Sequence, residues 1–263
     1  MNQSIRTLSI GNSFSQDACA YIHEQAKTMG IEFETINLYI GGCSLATHWE
    51  NWDNDRKNYS LEQNGKTTGK MVSIRDALTD GTYSVITLQQ ASHDSGKRDT
   101  YHPYMEKLAA VVKEYQPDTK LMVHQTWAYE TDSTHGAFPD YNKSQGLMYT
   151  MLNECYTEAA EKIGAPLLPT GDAVQYFREN VPEFDYGHGG LSLNRDGFHL
   201  SIPYGRYLAG LLWIHEITKL VSGKAADISS CTFVPDSENS PCSRQLLDTI
   251  RMNLQTFFAL RSL

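Results

Sequence analysis

The sequence predicts an α/β fold. Short apolar runs alternate with segments of helical periodicity, the pattern that gives a parallel sheet covered by helices on both faces. With 263 residues, 40% of them hydrophobic and 20% charged, the chain is long enough for one sizeable core and within the range of a large single α/β domain. No internal repeat or low-complexity tract is visible. Thr7–Ile10 is the first strand, an apolar run that stops at turn-forming Gly-Asn-Ser, and Ala18–Met29 the first helix. Phe33–Ile40 and Tyr83–Leu88 follow as strands, then the helical pattern Met105–Tyr115, the strand Lys120–His124, the helical pattern Met148–Ile163, the strand Ala165–Leu168 and the long helix Tyr204–Val221. The polar, helix-poor stretch 51–70 and the Asp-, Thr-, Pro- and aromatic-rich stretch 128–142 read as insertions over the sheet edge. The tail 229–263, a loop and then an amphipathic helix carrying Leu246, Leu247, Ile250, Leu254, Phe257 and Phe258, packs back as an extension of the same single domain 1–263.

Composition excludes several partners. A net charge of −9 provides no basic face to displace counterions from phosphate, so no nucleic-acid partner is expected, nor docking on anionic membranes. No stretch approaches the roughly 20 apolar residues of a membrane span, and the N-terminal MNQSIRTLSI lacks the regions of a signal peptide. A cytoplasmic location is expected, or a periplasmic or secreted one if a leader has been trimmed. The 5 Cys are an odd number in a chain of ordinary core-forming composition and are read as free thiols, although Cys231 and Cys242, which flank a Pro/Ser/Asn loop, could pair in an oxidising compartment. No CxxC or HExxH spacing is present, so no metal and no other cofactor is expected.

Two short motifs at opposite ends carry chemistry. GNSFS (11–15) follows the first strand, and DGFHL (196–200) precedes the long helix. Ser13 then falls in a strand-to-helix turn, which lifts a nucleophile out of the sheet edge and aims backbone N–H groups at charge developing on a carbonyl oxygen. Asp196 and His199, three residues apart, can meet by a hydrogen bond that fixes the imidazole tautomer and leaves the other ring nitrogen to take the serine proton. Ser13 rather than Ser15 is the expected nucleophile, because Ser15 faces the other way as the helix begins. The structural alternative is that Ser13 caps a helix and His199 is a satisfied buried histidine.

These motifs resemble the SGNH/GDSL hydrolases, and most closely a bacterial subgroup of them long carried as a domain of unknown function, in which blocks like LSIGNSFSQD, LYIGGCSL, LQQAS, HQTWAY and NRDGFHL occur in this order. The resemblance covers nearly the whole chain. It implies a flavodoxin-like three-layer α/β/α sandwich with five parallel strands in the order 2-1-3-4-5. It also implies an oxyanion hole from Ser13, the Gly42 N–H and a glutamine amide, Gln90 or Gln89, where the superfamily usually has the asparagine of a GxND block.

In such sheets ligands bind at the carboxyl ends of the strands, where the order reverses. That rule selects the loops 11–15, 41–45, 89–92, 125–129 and 196–199. His48 and Trp49 after the glycine block, with His124, Gln125, Trp127 and Tyr129 after the fourth strand, combine aromatic planes with hydrogen-bonding groups and suit a sugar ring. Their alternative is to be packing anchors. Arg195, beside Asp196, reads either as a loop-fixing ion pair or as an acid-recognising group. The function these readings favour is a serine esterase that removes small acyl groups, acetyl foremost, from a carbohydrate or similar polar metabolite, with a small-molecule or oligosaccharide ester as its substrate partner. Two alternatives are a lipase or thioesterase on the same triad, disfavoured because the insertions are too polar for an apolar lid, and a non-catalytic carbohydrate-binding protein.

Overall fold

The first strand, β1 (Ile5–Gly11), is buried on both faces along almost its whole length, as a central strand of a parallel sheet must be. In the computed structural model, which describes residues 4–236 and 242–261, it pairs in parallel with β2 (Phe33–Tyr39; Ser9 opposite Asn37) on one side and with β5 (Val85–Leu88; Thr7 opposite Val85) on the other. β6 (Lys120–His124) and the two-residue β7 (Leu167–Leu168) continue the parallel set. The parallel strands therefore lie in the order 2-1-3-4-5 when counted among themselves.

The sheet has seven strands rather than five. The additional pair, β3 (Tyr59–Gln63) and β4 (Lys66–Val72), is an antiparallel hairpin that extends the sheet beyond β2. It occupies most of the stretch that reads as a polar insertion. Its turn is Asn64-Gly65, both with positive φ (51° and 74°), as a type I′ hairpin turn requires. A Cβ on Gly65 would lie 2.4 Å from the Ala20 carbonyl oxygen, so the turn abuts backbone and needs its glycine.

Helices fill both faces. α1 (Ser13–Cys19) and α2 (Ile22–Thr28) replace the single helix expected over 18–29. α1 begins earlier because Asn12 caps it: its side chain accepts from Phe14 N, and Ser15 closes a capping box. These two helices pack with α8 (Tyr204–Ser222), and α9 (Arg244–Leu260) packs on α8. α3 (Leu45–Asp53), α4 (Ile74–Thr79), α5 (Tyr104–Tyr115) and α6 (Gln145–Ile163) form the second group, while α7 (Thr170–Asn180) touches both α6 and α8. The stretch 128–142 is a largely irregular loop whose Tyr129, Phe138 and Tyr141 are buried. The five cysteines are free thiols, with Cys231 buried and Cys242 half-buried. No helix among the described residues is long and apolar enough to cross a membrane.

Candidate active site

Ser13 is the first residue of α1, directly beyond the carboxyl end of β1. Its Oγ lies 2.8 Å from His199 Nε2, and His199 Nδ1 lies 2.7 Å from Asp196 Oδ2. A neutral imidazole that donates from Nδ1 to the carboxylate presents Nε2 as an acceptor to the serine hydroxyl. The neighbouring Ser15 is fully buried: its Oγ donates to Asn12 O (2.9 Å) or Asn37 Oδ1 (2.7 Å) and accepts from Asn12 N.

The Asp196–His199 loop is built as a closed turn. Asn194 and Leu200 form an antiparallel bridge, and Arg195 N donates to His199 O at 2.9 Å. Asp196 Oδ1 accepts from the backbone N–H groups of Phe198 (3.2 Å) and His199 (2.8 Å), a local Asx turn. Gly197, at φ 85°, hands its carbonyl to Glu130 N, and a Cβ there would press within 2.9 Å of Ser133 Cα. Trp127 Nε1 donates to Phe198 O at 2.7 Å and holds the turn from the other side. Burial pushes the Asp196 carboxyl up, but the hydrogen bonds from the His199 ring and from the two backbone N–H groups outweigh it and leave Asp196 below its ordinary value, as the partner of an imidazole should be.

Around this trio the structure sorts the remaining candidates. Gly42 is exposed, at φ 64°, in the turn after β2, and Asn12 ties that turn to the serine turn by donating from Nδ2 to Cys43 O at 3.1 Å. The two glutamines are engaged elsewhere, which corrects the expectation that one of them offers its amide to substrate. Gln90 is fully buried: its Nε2 donates to Thr100 O and Oγ1, and its Oε1 accepts from Leu45 N and Ala91 N. Gln89 donates to Asn12 Oδ1 at 2.8 Å and accepts from His124 Nδ1 at 2.6 Å.

Of the residues read as a sugar platform, all but the half-buried Trp49 are interior, which favours their alternative as packing anchors. His48 stacks on Tyr59 and bonds its hydroxyl, His124 packs edge-on against Trp213, and burial pushes both imidazoles down to about 3. Gln125 bonds Asn153 and Asp172, Trp127 stacks on Phe14, and Tyr129 shares a hydrogen bond with Ser92. All five of these side chains are buried, and Trp49 is covered by Lys107 of α5. Gln125, Trp127 and Tyr129 follow β6 directly and stay in the core as a floor, whereas His48 is buried by the packing of α3.

Two half-buried imidazoles that the sequence reading passed over do face this region. His93 lies against Gly42, its Cε1 4.0 Å from where a Cβ would stand. His135 packs on Phe198, which packs on His199 (ring centroids 4.8 and 4.3 Å), and its imidazole is pushed down first by burial and then by the charges of His93 and His199. No spacing marks them, since they come from separate loops. Beside Asp196 opens a cleft of about 200 Å³ lined by Asp132, Thr134, Tyr186, Ser192 and Arg195. A larger groove of about 450 Å³ lies by Ile5 and Met29, at the opposite end of β1 from Ser13, so size does not mark the candidate site. No group of three or more metal-ligating side chains occurs among the described residues.

The family model for a domain of unknown function, DUF4886, matches residues 6–246. The chain belongs to that family. A DUF4886 family protein from Bacteroides uniformis is 31% identical and superposes with a TM-score of 0.84 over 98% of this chain and 95% of that one. A putative SGNH hydrolase from Slackia heliotrinireducens is 22% identical (TM-score 0.54, 80% and 97% covered). An acetyl-xylooligosaccharide esterase from Geobacillus stearothermophilus is 12% identical (TM-score 0.52, 82% and 96% covered). The fold of this DUF4886 member is thus that of the SGNH/GDSL hydrolases. No curated protein matches it in sequence.

Proposed function

We propose that this protein is a serine esterase that removes small acyl groups, acetyl foremost, from a hydroxyl-rich alcohol of carbohydrate type. The observation that carries the reading is the unbroken relay Ser13 Oγ to His199 Nε2 (2.8 Å) and His199 Nδ1 to Asp196 Oδ2 (2.7 Å). In the proposed reaction Ser13 Oγ attacks the ester carbonyl as its proton passes to His199 Nε2, and Asp196 stabilises the imidazolium that forms. The Ser13 and Gly42 N–H groups receive the negative charge on the carbonyl oxygen. His199 then gives its proton to the departing alkoxide. Water, activated by the same imidazole, releases the acyl group from Ser13.

The polarity of the alcohol rests on the surroundings of the relay. The cleft beside Asp196 is lined by the polar side chains of Thr134, Ser192, Asp132 and Tyr186, the last two bonded to each other and Ser192 to Glu130. An extended alkyl chain would need a continuous apolar groove, because each CH₂ contributes about 0.8 kcal/mol only when removed from water. An acetyl-xylooligosaccharide esterase and a lipase/acylhydrolase share the fold, so both acyl classes are compatible with it and the test must separate them. p-Nitrophenyl acetate, butyrate and octanoate, with acetylated xylo-oligosaccharides alongside, provide that test. Acetate turnover above octanoate turnover, with acetyl release from the sugars, is expected. Preference for octanoate with the sugars untouched would replace the reading with a lipase or thioesterase. An inert Ser13 toward a fluorophosphonate would replace it with a binding protein.

A further inference from the structure

We infer that Asp17 is a positioning residue that holds the Asp196–His199 loop in register with Ser13; the inference rests on the triad reading above. Asp17 lies on α1 one helical turn beyond Ser13, and its side chain is fully buried. Both of its oxygens are bonded to the loop that carries Asp196 and His199. Arg195 Nη1 donates to Oδ1 (3.0 Å) and Oδ2 (2.9 Å), and the backbone N–H of Leu200 donates to Oδ2 at 2.8 Å. Arg195 immediately precedes Asp196, and Leu200 immediately follows His199. A single carboxylate on the serine helix thus grips both stems of the loop that presents the base and its orienting acid. The same Arg195 Nη1 also donates to Leu200 O, which closes the stem on itself.

A second arginine distinguishes positioning from plain burial. Arg206 of α8 donates to Asp17 Oδ1 from Nε (2.9 Å) and Nη2 (2.7 Å), so its side chain pairs with the carboxylate from the scaffold side, and its backbone N–H bonds Ser201 O just beyond the loop. Removing either arginine weakens the same buried ion cluster. Only Arg195 also sets where His199 stands relative to Ser13. A contact this close matters because reacting groups must be held to within a few tenths of an ångström, and a displacement of about 1 Å can cost about 10²-fold in rate.

The test compares Arg195→Gln with Arg206→Gln in the full chain, with Ser13→Ala as the control for the triad reading. Both arginine variants are expected to lower Tm by several degrees. Arg195→Gln is expected to lower kcat for p-nitrophenyl acetate by about 10- to 100-fold with KM changed less than about 2-fold, whereas Arg206→Gln keeps kcat within about 3-fold. The downfield proton resonance of the His199 Nδ1–H···Asp196 bond reads the loop directly. It is expected to broaden or vanish in Arg195→Gln and to persist in Arg206→Gln, whether or not any ester is turned over. Equal loss of Tm in both variants with kcat and the resonance unchanged would overturn the inference and leave Asp17 a structural ion cluster. A Ser13→Ala enzyme as active as the parent would overturn the triad reading instead, and the resonance would still decide the role of Asp17.

Discussion

Two layers of polar side chains meet at the carboxyl end of this sheet. The upper layer is Ser13, His199 and Asp196, partly open to solvent. The lower layer is Asn12, Gln89, Gln90, His124 and Gln125, all buried. Residue types do not separate them, since both contain an imidazole and hydrogen-bonding oxygens. What separates them is access to solvent: the upper three are partly open, whereas the lower five are buried, and of these His124 leaves its Nε2 without a hydrogen-bond partner. Gln90 has both ends of its amide saturated by backbone and Thr100, and Gln89 joins His124 to Asn12, which in turn joins the serine turn to the Gly42 turn. The lower layer is a fastening for the upper one. A buried polar group contributes when it is fully bonded and costs about 1–3 kcal/mol when it is not, so such a layer tolerates little change.

The largest effect that sharpens the contrast is in the upper layer. Ser13→Ala is expected to reduce kcat/KM by about 10⁴-fold with Tm nearly unchanged, as triad removals do. Residual turnover within 10-fold of the parent would place the chemistry elsewhere. In the floor the pattern should invert. Trp127→Ala is expected to destabilise by about 3–5 kcal/mol in denaturant unfolding, because a fully buried indole that stacks on Phe14 and holds Phe198 O leaves a large cavity. A KM effect on sugar esters at full stability would return Trp127 to the substrate.

Acid should expose the lower layer next. Burial holds the His48 and His124 imidazoles neutral down to about pH 3, against an ordinary value of 6.5. Below pH 6.5 the unfolded chain takes up protons that the folded chain refuses. The stability contributed by these neutral rings is therefore complete above about pH 6.5 and is lost as pH falls toward about 3. Tm is expected to fall between pH 7 and 4, and the fall should be shallower in His48→Gln and His124→Gln. An unaltered slope in both variants would mean that neither ring resists protonation. The smallest effect belongs to Gln90→Ala, expected to cost about 2 kcal/mol of stability while kcat/KM per folded molecule stays within about 3-fold. A loss of 10²- to 10³-fold would instead mark it as an oxyanion donor.

The alternation of strands and helices and the two turn motifs at the ends of the chain were legible because each depends on a local signal, whereas the strand order 2-1-3-4-5 follows from the resemblance to the SGNH/GDSL hydrolases. The alternation of runs marks the βα units, and Gly-Asn-Ser and Asp-x-x-His each compact into a turn that sequence spacing describes. The platform residues and the glutamines were misread for the opposite reason. Position after a strand says that a residue is near the site, but only packing says whether it lies above or below the surface. His93 and His135 approach the site through tertiary structure alone. The hairpin was a signal present but unread: Asn64-Gly65 between Tyr59–Gln63 and Lys66–Val72 is a turn dipeptide flanked by strand-forming residues, masked by the polarity of an edge strand that faces water.

That hairpin turn also bears on how the molecule can be altered. Surface turns between two strands are usually the most permissive places to graft a peptide or open a new terminus. Here Gly65 rests on the Ala20 carbonyl at the junction of α1 and α2, and Glu62 of the same hairpin bonds Gln16 of α1 and Asn37 of β2, whose side chain holds Ser15. The turn works as a wedge behind the serine helix. A short Gly-Ser graft between Asn64 and Gly65 is expected to lower soluble yield and Tm, while the same graft after Gly223, where open space surrounds the glycine, is expected to be carried without loss.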